Sequence, residues 1–255
     1  MSAFEAAILR LLTIVLIPVV AGLSLYTKIL WTSYTDADVW ENGYVPPRYV
    51  YSLIEETTKA TVAVECSAET GSGFSFNFDK FDEAEFLFEW ADVEQSSIIL
   101  TNFHVIEDCY NGDSQIVVID YEGKEFVGQV KAVDIENDVA ALMIPTKIDP
   151  LVSAYYFYRP GYWVMAVGSP YGMRGTTTFG NVIFTQGTRI YTSASLNRGN
   201  SGGPLVDNVG LVMGINTGFQ AVAQNLNYAT DINVLCEKIA NCFSKSKLIH
   251  PIVDE

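Results

Sequence analysis

Histidine is nearly missing from this chain. Its 255 residues include two, His104 and His250, so any chemistry that needs an imidazole near neutral pH must use one of them. Basic residues are scarce too, with 15 Lys and Arg against 30 Asp and Glu and a net charge of −15. That balance repels phosphate backbones and anionic membrane surfaces, which excludes nucleic acid as a partner. The four cysteines, Cys66, Cys109, Cys236 and Cys242, form no Cys-x-x-Cys pair and no His/Cys cluster, and the acidic clusters lack EF-hand spacing. No metal site and no cofactor is expected. Residues 60–230 also lack a long amphipathic helical repeat.

What fills that stretch is a series of short apolar or alternating runs bounded by Gly, Asn, Asp and Pro. They include Ala60–Val64, Ile98–Thr101, Ile116–Asp120, Glu125–Val133, Tyr162–Val167, Asn181–Phe184 and Leu211–Ile215. Many short strands without intervening helices predict an all-β protein built of barrels or sandwiches, not a parallel sheet. Pro145 to Pro160 reads as a crossover between two halves. Residues 231–243 carry apolar positions Ile232, Leu235, Ile239 and Ala240 at helical spacing, which predicts a C-terminal helix.

The run Arg198-Gly199-Asn200-Ser201-Gly202-Gly203-Pro204 places a serine on a turn that only glycines permit, because a Cβ would block the required angles and approaches. Such a turn exposes a hydroxyl and aims main-chain N–H groups at one spot, where an oxyanion could be held. His250 sits in a polar tail beside Pro251, so the candidate base is His104, which follows the strand-like Ile98-Ile99-Leu100. A carboxylate is then needed to orient the imidazole. Asp138 is the first choice, because it opens the apolar run Val139–Ile144 and a carboxylate there needs a partner. Asp134 is the reserve; Glu107 and Asp108 lie close in sequence to His104 and are less favoured.

The order His104, Asp138, Ser201 and six local strings resemble trypsin-like serine proteases of the HtrA/DegP type. The strings are Gly71-Ser72-Gly73-Phe74, Thr101 to Ile106, Asn137 to Ala140, Val164 to Gly172, Ser195 to Leu205 and Gly214-Ile215-Asn216-Thr217, and the resemblance covers roughly residues 60–240. The resemblance implies a chymotrypsin-like double β-barrel with the site in the cleft between barrels. It implies a Ser201 nucleophile, a His104 base, an orienting Asp138, and an oxyanion hole from the amides of Gly199 and Ser201. The primary specificity pocket would lie near Ser195, with walls from Gly214, Ile215, Asn216 and Thr217. No carboxylate occurs from Ile190 to Asn200, so the pocket should take small or aliphatic residues. The resemblance also suggests a disulfide between Cys66 and Cys109, whereas Cys236 and Cys242 would point to different faces of one helix.

Residues 1–31 form the expected membrane anchor or signal segment. Leu11 to Thr27 is uncharged, lies between Arg10 and Lys28, and reaches the low end of the roughly 17–25 residues that span a bilayer. A cleaved signal peptide, with small residues around Ala21 to Ser24, is the competing reading. Either places the rest outside the cytoplasm, membrane-anchored or secreted. Residues 32–48 read as a linker, 49–245 as the protease domain (barrels about 55–145 and 160–230), and 246–255 as a tail. No PDZ domain is expected to follow. The acidic, aromatic insert from Asn77 to Gln95 is either a solvated hairpin or a regulatory or oligomer-contact loop, and a homo-oligomer is an open possibility.

The expected function is a serine endopeptidase acting on unfolded or damaged protein. The alternative is a non-catalytic or conditionally inactive chaperone-like binding module on the same fold.

Overall fold

The computed structural model describes residues 42–77, 95–153, 158–169, 175–219 and 226–235. The N-terminal apolar segment, the acidic insert from 78 to 94, Cys236, Cys242, His250 and the tail lie outside the described residues. Among the described residues no helix is long and apolar enough to cross a membrane.

Two closed six-stranded antiparallel barrels make up the fold. The first contains β1 (Thr61–Cys66), β2 (Glu69–Ser75), β3 (Ser97–Thr101), β4 (Ile116–Ile119), β5 (Glu125–Asp134) and β6 (Val139–Ile144), in the order β1-β2-β3-β6-β5-β4. The second contains β7 (Trp163–Gly168), β8 (Thr176–Gln186), β9 (Arg189–Thr192), β10 (Pro204–Val206), β11 (Val212–Phe219) and β12 (Asn227–Asp231), in the order β7-β8-β9-β12-β11-β10. The expected all-β double barrel is therefore present. The described part of the crossover carries two isolated bridges, Phe76 to Leu151 and Ser153 to Val212, which tie it to both barrels.

A buried cluster joins the two barrels, and β6 and β7 both contribute to it. Both are buried at every position. Side chains alternate between faces with period two, so a strand with an apolar residue at every position must be covered on both sides. In β7, Val164 and Ala166 fill the second barrel, while Trp163, Met165 and Val167 join a cluster shared with the first. In β6, Ala140, Leu142 and Ile144 fill the first barrel, while Val139 and Ala141 face that shared cluster. Each fully buried aliphatic side chain contributes about 1.5–3 kcal/mol relative to exposure.

Two helices depart from the sequence-based expectation. α1 (Val50–Ala60) precedes β1 and buries Leu53 against the shared cluster. α2 (Phe103–Asn111) follows β3 directly and buries Phe103, Val105, Ile106 and Cys109. The spacing of Phe103, Ile106 and Cys109 is helical, but three-residue periodicity over nine residues is easily lost beside an apolar strand. At the other end, α3 (Ile232–Leu235) begins where a helix was expected, with the remainder of that helix outside the described residues. Cys66 on β1 and Cys109 on α2 form the disulfide that the resemblance suggested.

Candidate active site

His104 occupies the second position of α2, and Asp138 lies on the β5–β6 hairpin. The hairpin's own sequence places it. Asp134 accepts hydrogen bonds from the Asn137 amide at 3.2 Å and side chain at 2.7 Å, closing the turn. Asp134 is thereby spent on local structure and does not meet His104. Asp138 then adopts φ 58°, a left-handed conformation that Asp and Asn tolerate better than most residues. Its carboxylate reaches α2 with both oxygens: Oδ2 is 2.7 Å from His104 Nδ1, and Oδ1 accepts the His104 amide at 2.8 Å. With Nδ1 donating to a carboxylate, Nε2 keeps the lone pair.

The electrostatics of the pair follow from that contact. Burial pushes the His104 imidazole down, but the Asp138 hydrogen bond and charge, helped by Glu69 and Glu107, outweigh it. The net result is a pKa raised above the ordinary histidine value. Nearly half of the His104 side chain, 45%, remains exposed.

Ser201 sits on the connection between β9 and β10. Gly199 has φ 93° and Gly202 φ 89°. A Cβ on Gly202 would collide with the Ser72 carbonyl, and one on Gly203 with the Val167 carbonyl, so neither site accepts a larger residue unchanged. Around the turn, the Asn200 amide donates to Asn197, the Gly202 amide to Asn216 and the Gly203 amide to Asn200. The amides of Gly199 and Ser201 donate to nothing among the described residues. Two main-chain donors beside one hydroxyl are thus left free. The Ser201 hydroxyl itself donates to the Thr217 carbonyl at 3.1 Å.

Asn102 links the two halves of the site. It is fully buried, and its side-chain amide donates to the Asp138 carbonyl at 2.7 Å and to Thr217 Oγ1 at 3.3 Å. The Thr230 hydroxyl, 3.0 Å from Thr217 Oγ1, donates to the Asn137 carbonyl at 3.3 Å and ties β12 to the hairpin. Asn102 and Thr230 carry no signal that sequence reasoning could isolate beyond their place in buried segments.

The expected pocket residues divide. Ser195 is exposed, and its carbonyl accepts from the Thr178 hydroxyl at 2.8 Å. Gly214 lies inside the β10–β11–β12 sheet, where a Cβ would meet the Thr230 carbonyl at 2.6 Å. The side chains of Ile215 and Asn216 are both buried. Ile215 is fully buried in the cluster between barrels, because period two turns it inward from β11. Asn216 is equally buried, and its amide donates to the carbonyls of Val167 at 3.1 Å and Pro204 at 3.0 Å. Thr217 contributes the carbonyl that holds the Ser201 hydroxyl.

A trypsin-like peptidase domain family matches residues 57–215, more than half of the chain. The chain belongs to that family. Within it, the protease domain is similar to those of HtrA-type proteases. It is 35% identical over 168 residues to HhoB of Synechocystis sp., covering 60% of this chain and 39% of that protein. It is 34% identical over 154 residues to the serine protease HTRA3 of Rattus norvegicus, covering 54% and 33% respectively. The chain therefore spans about two fifths or less of the length of these curated relatives. Among solved structures, the serine endoprotease from Yersinia pestis superposes with a TM-score of 0.63 at 27% identity, covering 78% of this chain and 67% of that one. This trypsin-like domain thus shares its double barrel with a solved endoprotease.

Proposed function

We propose that the chain is a serine endopeptidase in which Ser201, His104 and Asp138 act together. The observation that carries this reading is the two-point grip of Asp138 on His104, in a molecule whose glycine-rich turn leaves two amides beside Ser201 undonated. In this reading the Ser201 side chain turns away from the Thr217 carbonyl and gives its proton to His104 Nε2. The oxygen then attacks the scissile carbonyl, and Asp138 stabilises the imidazolium that forms. The amides of Gly199 and Ser201 receive the oxyanion, each such donor being worth about 3–4 kcal/mol in the transition state. His104 returns the proton to the leaving amine, the acyl-enzyme is cleared by water, and the cycle closes.

The substrate in this reading is unfolded or damaged protein, cut after small or aliphatic residues. That preference rests on the stretch from Ile190 to Asn200, which holds no carboxylate to pair with Lys or Arg. Work outside the cytoplasm, behind a membrane anchor or after signal cleavage, and assembly into a homo-oligomer belong to the same proposal. They are motivated by the apolar N-terminal stretch and by relatives named as DegP-like periplasmic endoproteases.

The hydrogen bond from Ser201 to the Thr217 carbonyl favours one further reading, a conditionally inactive module that needs a trigger to release the hydroxyl. Serine-directed fluorophosphonate labelling of the full chain, with Ser201→Ala as control, separates the two. Stoichiometric labelling of resting protein supports the constitutive peptidase, and no labelling supports the conditional one. Mapping cuts in a denatured protein tests the pocket, and a dominant cut after Arg or Lys overturns it.

A further inference from the structure

Ser72 lies on β2 of the first barrel, and its polar atoms serve the site. It is fully buried. Its amide donates to the Ser201 carbonyl at 2.7 Å, and its hydroxyl donates to the Gly199 carbonyl at 2.6 Å. The same hydroxyl accepts the Ser169 amide at 2.8 Å, and the Ser72 carbonyl accepts the Thr101 hydroxyl at 2.6 Å, three residues before His104. The two carbonyls held by Ser72 bracket the Asn200–Ser201 peptide, whose N–H is one of the two undonated amides.

This arrangement answers a need that glycine creates. Gly199, at φ 93°, has no Cβ to restrict its rotation, so the planes on either side of it turn at little steric cost. A hydrogen bond to its carbonyl supplies the missing restriction. The Ser169 amide occupies a lone pair of the Ser72 oxygen, which leaves the hydroxyl proton directed at Gly199. Gly168 makes room for the contact, since a Cβ there would come within 3.0 Å of Ser72 Oγ and 2.7 Å of Asn200 Oδ1.

We infer that Ser72 is a positioning residue, whose hydroxyl holds the Gly199 carbonyl so that the Gly199 and Ser201 amides stay aimed at one point. The inference rests on the reading of those amides as oxyanion donors. Without the hydroxyl, the Gly199 carbonyl turns, the amides lose their common direction, and the transition state loses stabilisation while ground-state binding remains.

The experiment uses the full 255-residue chain and a chromogenic peptide amide. Cleavage by the wild type and none by Ser201→Ala supports the underlying reading; an inactive wild type or an active Ser201→Ala overturns that reading itself. Against that background, Ser72→Ala should lower kcat about 10- to 100-fold, less than or comparable to loss of a donor, with KM within about twofold. The acid limb of its pH profile should not move, because the His104–Asp138 contact is untouched. A folded Ser72→Ala with unchanged kcat, a loss confined to KM, or a displaced acid limb overturns the positioning role. If Ser72→Ala fails to fold, Ser72→Cys decides instead, since it keeps the side-chain shape, slightly enlarged, and only a weak donor. A several-fold lower kcat supports the inference, and an unchanged kcat overturns it.

Discussion

The two barrels share one strand order, yet they bring unlike parts to the site. His104 lies on the connection between the third and fourth strands of the first barrel, and Ser201 on the same connection of the second. In the first barrel that connection folds into α2, and a carboxylate from the β5–β6 hairpin grips its start. In the second it is a bare glycine turn that presents main-chain amides. The first barrel thus holds its functional group by side-chain hydrogen bonds, the second by backbone conformation. Equivalent scaffolds position chemistry through the loops that differ, which is why function has to be argued from the site and not from the fold.

Removing the second barrel's contribution should have the largest effect. Ser201→Ala is expected to lower kcat by about 10⁵- to 10⁶-fold, measured by active-site-controlled peptide hydrolysis, with folding unchanged by circular dichroism. On the first barrel, Asp138→Asn should cost about 10⁴-fold in kcat. It also sharpens the comparison through pH. In the proposed mechanism His104 must be neutral to accept the Ser201 proton, so activity should rise with pH through its raised pKa. Asp138→Asn removes the main influence that raises this value and leaves burial, which lowers it, against the smaller upward pull of Glu69 and Glu107. The acid limb of kcat/KM should therefore move to lower pH, while a limb that stays put breaks the assignment. The seam between the barrels is tested by Met165→Ala, which should cost about 2–5 kcal/mol in denaturant unfolding. Smaller and confined to the first barrel is the loss of the Cys66–Cys109 crosslink. Cys66→Ala with Cys109→Ala should cost about 2–4 kcal/mol, read as a lower thermal midpoint that added reductant does not change.

Much of this organisation was legible in the residues, and the exceptions have physical causes. β7 was readable because Tyr162–Val167 is an unbroken apolar run between polar breaks. β8 was recognised only over Asn181–Phe184, because the rest of Thr176–Gln186 is a half-exposed run of threonines and glycine with weak contrast between faces. α2 was hidden because its sequence, with a β-branched Val105 and Ile106 and aromatic Phe103 and Tyr110, has modest helix propensity and follows a strand without a break. His104, Asp138 and Ser201 stood out through scarcity and turn chemistry. The supporting roles of Ser72 and Asn102 did not, since each depends on which carbonyl lies opposite across a barrel boundary. The wall role expected of Ile215 and Asn216 depends on which main-chain atoms border the cleft, and the residues alone do not reveal that.

The φ of 58° at Asp138 has one more consequence. Few side chains are comfortable there, and asparagine, which matches aspartate in shape, is among them. A chain drifting that way would keep its architecture while giving up the negative charge behind its imidazole. Under the proposed mechanism, a folded but silent version of this molecule is therefore a single exchange away.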